Sequence, residues 1–189
     1  MKSLLVAVLV ALVLPAAAFA HAKVSPSDAV KGESEVFTLA VPTEKDNATT
    51  TQIEFTPPAG FGIDSFVPAP GWTRKVQQTG SGEAAVITKV TWSGGHVPTG
   101  EDAAFSFLAS ASSAKTYTFG VRQTYSDGSV VDWSGPETSD TPSPTIDVHS
   151  SFGGGGGSST LAIVAVALGA AGVLLAAFAL FAGGTRELA

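Results

Sequence analysis

His21 is the residue of this chain best equipped for chemistry, and its chemistry depends on where the chain is cut. It directly follows Ala18-Phe19-Ala20. Cleavage after Ala20 would make His21 the first residue, with a free α-amino group and an imidazole on the same residue. Those two nitrogens are close enough to chelate one metal ion. With a carboxylate added, the set is two nitrogens and an oxygen. It suits square-planar or tetragonal Cu(II), which also heads the affinity order for divalent first-row metals. Zinc accepts the same donors but prefers a tetrahedral set. Both nitrogens must lose their protons to bind, so affinity falls as pH drops through the ordinary amine and imidazole range.

The carboxylate has two candidates. Residues 21–26 and 35–42 read as the strands of a first hairpin, joined by a loop containing Gly32. In an antiparallel pair the start of one strand lies beside the end of the other. His21 is therefore expected near Val41-Pro42-Thr43-Glu44, with Glu44 as the acid that local geometry brings closest. Glu54 is the rival, one strand later on the polar side of an alternating run. Without His21 either glutamate would read as an ordinary solvated acid. His96, in Ser93-Gly94-Gly95-His96-Val97-Pro98, falls in an expected loop, where a lone histidine normally faces solvent. His149 falls at the start of an expected tether and is assigned no role.

The ends of the chain set the context for these residues. Met1-Lys2-Ser3, an apolar run from Leu4, Pro15, and small residues at Ala18 and Ala20 make a secretory signal peptide. From Thr160 to Phe181 no residue is charged, long enough for a helix to cross a bilayer. Arg186 after it favours a cytoplasmic C-terminus. Thr, Ser, Asp and Pro crowd together from Pro142, and Gly153 to Gly157 with Ser158-Ser159 form a flexible tether. The expected order is signal peptide 1–20, ectodomain 21–148, linker 149–159, membrane helix 160–182 and a short cytoplasmic tail 183–189. That order places the ectodomain outside the cytoplasmic membrane.

Between residues 21 and 159 there are eight Lys/Arg and fifteen Asp/Glu, a net charge of about −7. This balance argues against nucleic acid and against docking on anionic lipid. The chain has no cysteine, which excludes thiolate metal sites, cysteine nucleophiles and disulfides. The core must hold the domain alone.

The ectodomain pattern is short alternating runs broken by turn residues, an all-β signature. Candidate strands begin at Ala22-Lys23-Val24 and run over 35–41, 52–55, 84–92, 105–108, 115–125 and 130–133. Phe66-Val67 adds a short run, and Asp127-Gly128 makes a hairpin turn. Seven or more strands in one domain point to an immunoglobulin-like β-sandwich, with a closed barrel as the alternative. Of the tryptophans, Trp72 is expected to pack a turn and Trp92 to enter the core. Trp133 reads equally as core or as an indole wall beside a metal.

Several stretches resemble the YcnI-like family of bacterial envelope proteins, long carried as a domain of unknown function and linked to copper. They are His21-Ala22-Lys23-Val24-Ser25-Pro26, Val41-Pro42-Thr43-Glu44, Pro68-Ala69-Pro70-Gly71-Trp72, and Tyr125 through Gly135. They run in order across nearly the whole ectodomain. The resemblance implies a β-sandwich that binds one Cu(II) through a single-histidine brace, in which His21 supplies both nitrogens. It also implies a glutamate oxygen, carried to Glu44 on the hairpin argument with Glu54 as the alternative, and a tryptophan beside the ion, carried to Trp133. The expected role is a copper chaperone or sequestration protein, not an enzyme, with other envelope copper-transport proteins as partners. Two alternatives stand beside it. One is a copper-dependent oxidative enzyme, with His96 adding a second imidazole. The other is a structural or adhesive ectodomain without metal.

Overall fold

Alternation is visible strand by strand in the computed structural model, which describes residues 21–152, 164 and 166–170. Within Ser34–Pro42 the side chains of Phe37, Leu39 and Val41 are buried and their neighbours face outward. Asp102–Ala111 buries Ala103, Phe105, Phe107, Ala109 and Ala111 in the same way. A period of two places one face of each strand in the core, and the β-branched and aromatic residues there favour the pleated conformation.

Among the described residues there are twelve strands. In chain order they are β1 (Lys23–Ser25), β2 (Asp28–Val30), β3 (Ser34–Pro42), β4 (Thr50–Thr56), β5 (Phe61–Phe66) and β6 (Thr73–Thr79). Next come β7 (Val86–Val97), β8 (Asp102–Ala111), β9 (Thr116–Thr118), β10 (Gly120–Tyr125), β11 (Val130–Trp133) and β12 (Thr145–His149). One sheet has the order β1-β3-β8-β5 and a second β11-β10-β4-β7-β6. A third, β2-β12-β9, includes a parallel pairing of β2 with β12. The two larger sheets face each other through aromatic rings. Trp92 stacks on Phe105 at 4.2 Å, and Phe55 meets Phe107 at 5.4 Å. This is an open sandwich, not the closed barrel.

Four features differ from the sequence reading. The run 115–125 is two strands, because the chain changes sheets at Phe119. Its N–H bonds the Pro144 carbonyl, and its ring lies 5.3 Å from Phe55 and 4.9 Å from Phe61. The inward period is unbroken across the switch, so no pattern marks it. The Thr-, Ser- and Pro-rich stretch from Pro142, read as the approach to the tether, instead leads into a strand, since β12 buries Ile146 and Val148 and ends at His149. His149 is bonded to Asp28 at 2.8 Å. β2 interrupts the loop of the first hairpin. β6 was not expected, because all seven of its residues are exposed and no apolar face announces it.

The domain through Ser151 is one unit and the stretch from Phe152 a second. In that second unit residues 164 and 166–170 are helical. The expected signal peptide (1–20) and most of the expected membrane helix (160–182) lie outside the described residues. Among the described residues no helix is long and apolar enough to cross a membrane.

Candidate functional site

The ladder between β1 and β3 pairs Lys23 with Ala40, Val24 with Leu39 and Ser25 with Thr38. Continuing that register by two residues brings His21 alongside Pro42. β1 is the edge of its sheet, and β11 is the edge of the facing sheet. Val24 and Ala22 point into the core while Lys23 and His21 are exposed. His21 thus lies on the rim of the sandwich, where it lines a cleft of about 800 Å³.

The opposite wall of the cleft is built by the chain after β11. Gly135 donates its N–H to the Thr141 carbonyl at 2.9 Å, and Ser143 donates to the Gly135 carbonyl at 3.0 Å. Ser139 bonds the Pro136 carbonyl through both its N–H and its hydroxyl. A Cβ at position 135 would lie 2.2 Å from the Ser139 hydroxyl oxygen, so this close return requires glycine. The loop presents Glu137 to the cleft, and Asp147 of β12 lines it as well, its carboxylate accepting from the Thr116 hydroxyl at 2.6 Å. Neither acid stood out in the sequence. Glu137 sits in a Ser/Thr/Pro-rich stretch, and Asp147 lies two residues before the expected linker at 149.

Trp133 is 1% exposed, and its indole N–H donates to the Gln123 carbonyl oxygen at 3.0 Å. The Gln123 amide in turn donates to the Pro42 carbonyl at 2.8 Å and to the Thr50 hydroxyl at 2.7 Å. Thr50 and Thr43 are joined hydroxyl to hydroxyl at 2.7 Å. This buried network ties the strand beside His21 to the strand carrying Trp133, across the two sheets. Gln123 was not singled out in the sequence. A polar residue at an inward position of an alternating strand was its signal. Trp133 does not itself line the cleft, but its neighbour Ser134 does.

The two glutamates part company. Glu44 is exposed, and the backbone at Glu44 and Lys45 hydrogen-bonds the Tyr125 hydroxyl, whose pKa is raised chiefly by burial. Tyr125 ends β10 next to the β10–β11 turn, whereas Trp133 pairs with Val121 near the other end. Four residues of strand separate Tyr125 from Val121, about 14 Å. Glu54 lies on the outer face of its sheet. It pairs with Lys89 at 3.0 Å and accepts from Gln52 at 3.2 Å. It lines a smaller pocket of about 240 Å³ that shares Ser134 with the cleft of His21.

His96 is not in a loop. It is exposed near the end of β7, and it does not line the cleft. Two glycines had suggested a turn there. The structure uses Gly95 instead to seat the Trp72 ring, which a Cβ would meet at 2.1 Å. Trp72 packs edge-on against Phe105 at 4.9 Å, and Trp92 is 1% exposed in the core.

Among the described residues no three His, Asp or Glu side chains gather around one point. A metal at this rim would therefore need a donor besides these side chains. The cleft is open, holds one imidazole and carries two carboxylates, so its chemistry fits a divalent cation.

Comparison with known proteins follows the same lines. The copper-binding protein CutI of Bacillus subtilis (strain 168) is 30% identical over 180 residues, covering 87% of each chain. The crystal structure of an uncharacterized protein from Nocardia farcinica, described as immunoglobulin-like, superposes with a TM-score of 0.58 at 30% identity. It covers 68% of this chain and 97% of that one. Residues 21–148, the whole sandwich from His21 into β12, match the family described as a domain of unknown function, DUF1775, and the chain belongs to that family.

Proposed function

We propose that this chain is a copper-binding protein of the cell envelope, and that the ion is its cargo, held at the mature N-terminus. The relationship to a copper-binding protein over 87% of both chains carries the reading. Exposure of His21 on an acid-bearing cleft supports it. In this reading, cleavage after Ala20 frees the α-amine, and His21 binds Cu(II) with its amine and imidazole. The apolar segment 160–182 anchors the domain at the outer face of the membrane. The protein holds and passes copper without turning over a substrate. That His96 lies away from the cleft supports this over an oxidative enzyme with a second imidazole.

A carboxylate completes the donor set. Of the two glutamates expected from sequence, Glu54 is taken as the donor because its pocket adjoins the cleft at Ser134; Glu44, two residues beyond the Pro42 that lies beside His21, is the alternative. Its carboxylate accepts from Lys89 and Gln52 and keeps further lone pairs for an ion. Trp133 acts from behind the wall. With its N–H committed to Gln123, the indole holds Ser134 and the loop after it in place.

The test is a Cu(II) titration followed by EPR on protein beginning at His21, beside the same protein with one alanine added before His21. Tight one-to-one binding that collapses in the extended form is the expected result. Equal binding by both forms would place the ion elsewhere, and no binding by either would end the proposal.

A further inference from the structure

β6 presents an unusual edge. It is the last strand of the five-stranded sheet, on the side away from β11, and every residue from Thr73 to Thr79 is exposed. Its sheet has five strands against four in the facing sheet, and no core residue comes from β6. Only β7 supports it, and Arg74 folds over the Phe66 ring at 4.1 Å. The strand contains no proline or glycine. The bulge in the β6–β7 ladder puts its extra residue, Thr88, in β7, so β6 itself stays regular. A regular strand with an open row of N–H and C=O groups is a template for another strand.

The direction of those groups can be read. The Thr88 hydroxyl donates to the Gln77 carbonyl, so the backbone of Gln77 faces β7. Successive residues of a strand face alternate sides, which turns the N–H and C=O of Arg74, Val76 and Gln78 outward. A two-fold axis through Val76 would pair Val76 with its copy and Arg74 with Gln78 of the other chain, forming about six backbone hydrogen bonds. On the other face Lys75 meets Gln77, and Thr73 meets Thr79. No like charges oppose one another, and the partly exposed Val76 side chains (39%) cover each other.

We propose that β6 pairs antiparallel with β6 of a second copy of this chain, centred on Val76, joining two five-stranded sheets into one. The cleft of His21 lies at the far edge and stays open in both copies. This inference does not depend on copper.

Because the chain has no cysteine, a single introduced thiol can be linked only to its copy. Val76→Cys in the full chain, treated with a short bis-maleimide, is expected to give mostly covalent dimer. Thr79→Cys would lie about 20 Å from its copy in this register, six residues along the strand, and is expected to cross-link several-fold less. Val76→Pro removes one outward N–H and spares the ladder to β7. It is expected to abolish the dimer in sedimentation while leaving the circular dichroism spectrum unchanged. Equal cross-linking at 76 and 79 overturns the register. Monomer at every concentration in the unsubstituted chain overturns the dimer, leaving β6 to a strand of another protein or to none.

Discussion

Replacing Gln123 by leucine isolates the network that ties the two sheets together beside the cleft. Gln123 is fully buried and makes three hydrogen bonds, from Trp133 and to Pro42 and Thr50. Leucine keeps most of the volume and removes every bond. Thr50 retains Thr43, so two buried groups lose the partner that Gln123 supplied, the Pro42 carbonyl and the Trp133 N–H. Each such loss costs about 1–3 kcal/mol. Added apolar burial returns about 1 kcal/mol, leaving a net loss of about 3 kcal/mol. For a domain of about 130 residues that is a fall of roughly 10 °C in midpoint. Urea melts followed by far-UV circular dichroism measure it at unchanged slope. In copper-loaded protein the EPR signal should also broaden, because Gln123 no longer ties Pro42, beside His21, to Trp133, whose neighbour Ser134 lines the cleft. A loss below about 1 kcal/mol would show that water or relaxation replaces these bonds, and the account of the cleft as a held structure would be wrong.

Other outcomes follow from single contacts. Glu54→Gln should shift the copper hyperfine coupling, and Glu44→Gln should leave it unchanged; the reverse pattern would restore Glu44 as the donor. Gly95→Ala drives a Cβ into the Trp72 ring, and a loss of about 1–3 kcal/mol with a red-shifted tryptophan emission is expected. Phe119→Ala should cost about 3–5 kcal/mol, since the ring fills the junction of three strands. The hydrogen bond from His149 is the largest cause holding the Asp28 pKa below its ordinary 3.8. A carboxyl depressed on folding contributes stability above that value and loses it as pH falls through the lower, folded-state value. Asp28→Asn should therefore reduce the acid sensitivity of the urea midpoint below about pH 4, and an unchanged acid limb would show the pair contributes nothing.

Much of the fold was legible because its signals are local. Alternation in β3, β8 and β10, and the Asp127-Gly128 turn before β11, each specify a strand or hairpin from a few neighbouring residues. The chemistry of His21 was legible for the same reason, since amine and imidazole belong to one residue. An all-β domain beginning at His21 and the exclusion of thiolate chemistry were thus determined by sequence alone, and the proposal of a histidine chelate after cleavage rests on the same local grounds. Tertiary structure decided what distance along the chain conceals. It switched sheets at Phe119 without breaking the period of two and drew β12 into the domain against β2 and β9. It folded Gly135 to Ser143 into a wall carrying Glu137, and it set Glu44 beside Tyr125 and Glu54 on the outer face of its sheet. The physical reason is that a strand's pattern reports which face is buried but not which strand lies beside it. Pairing is set by contacts between residues remote in sequence, such as Gln123 with Pro42 or Thr118 with Thr145.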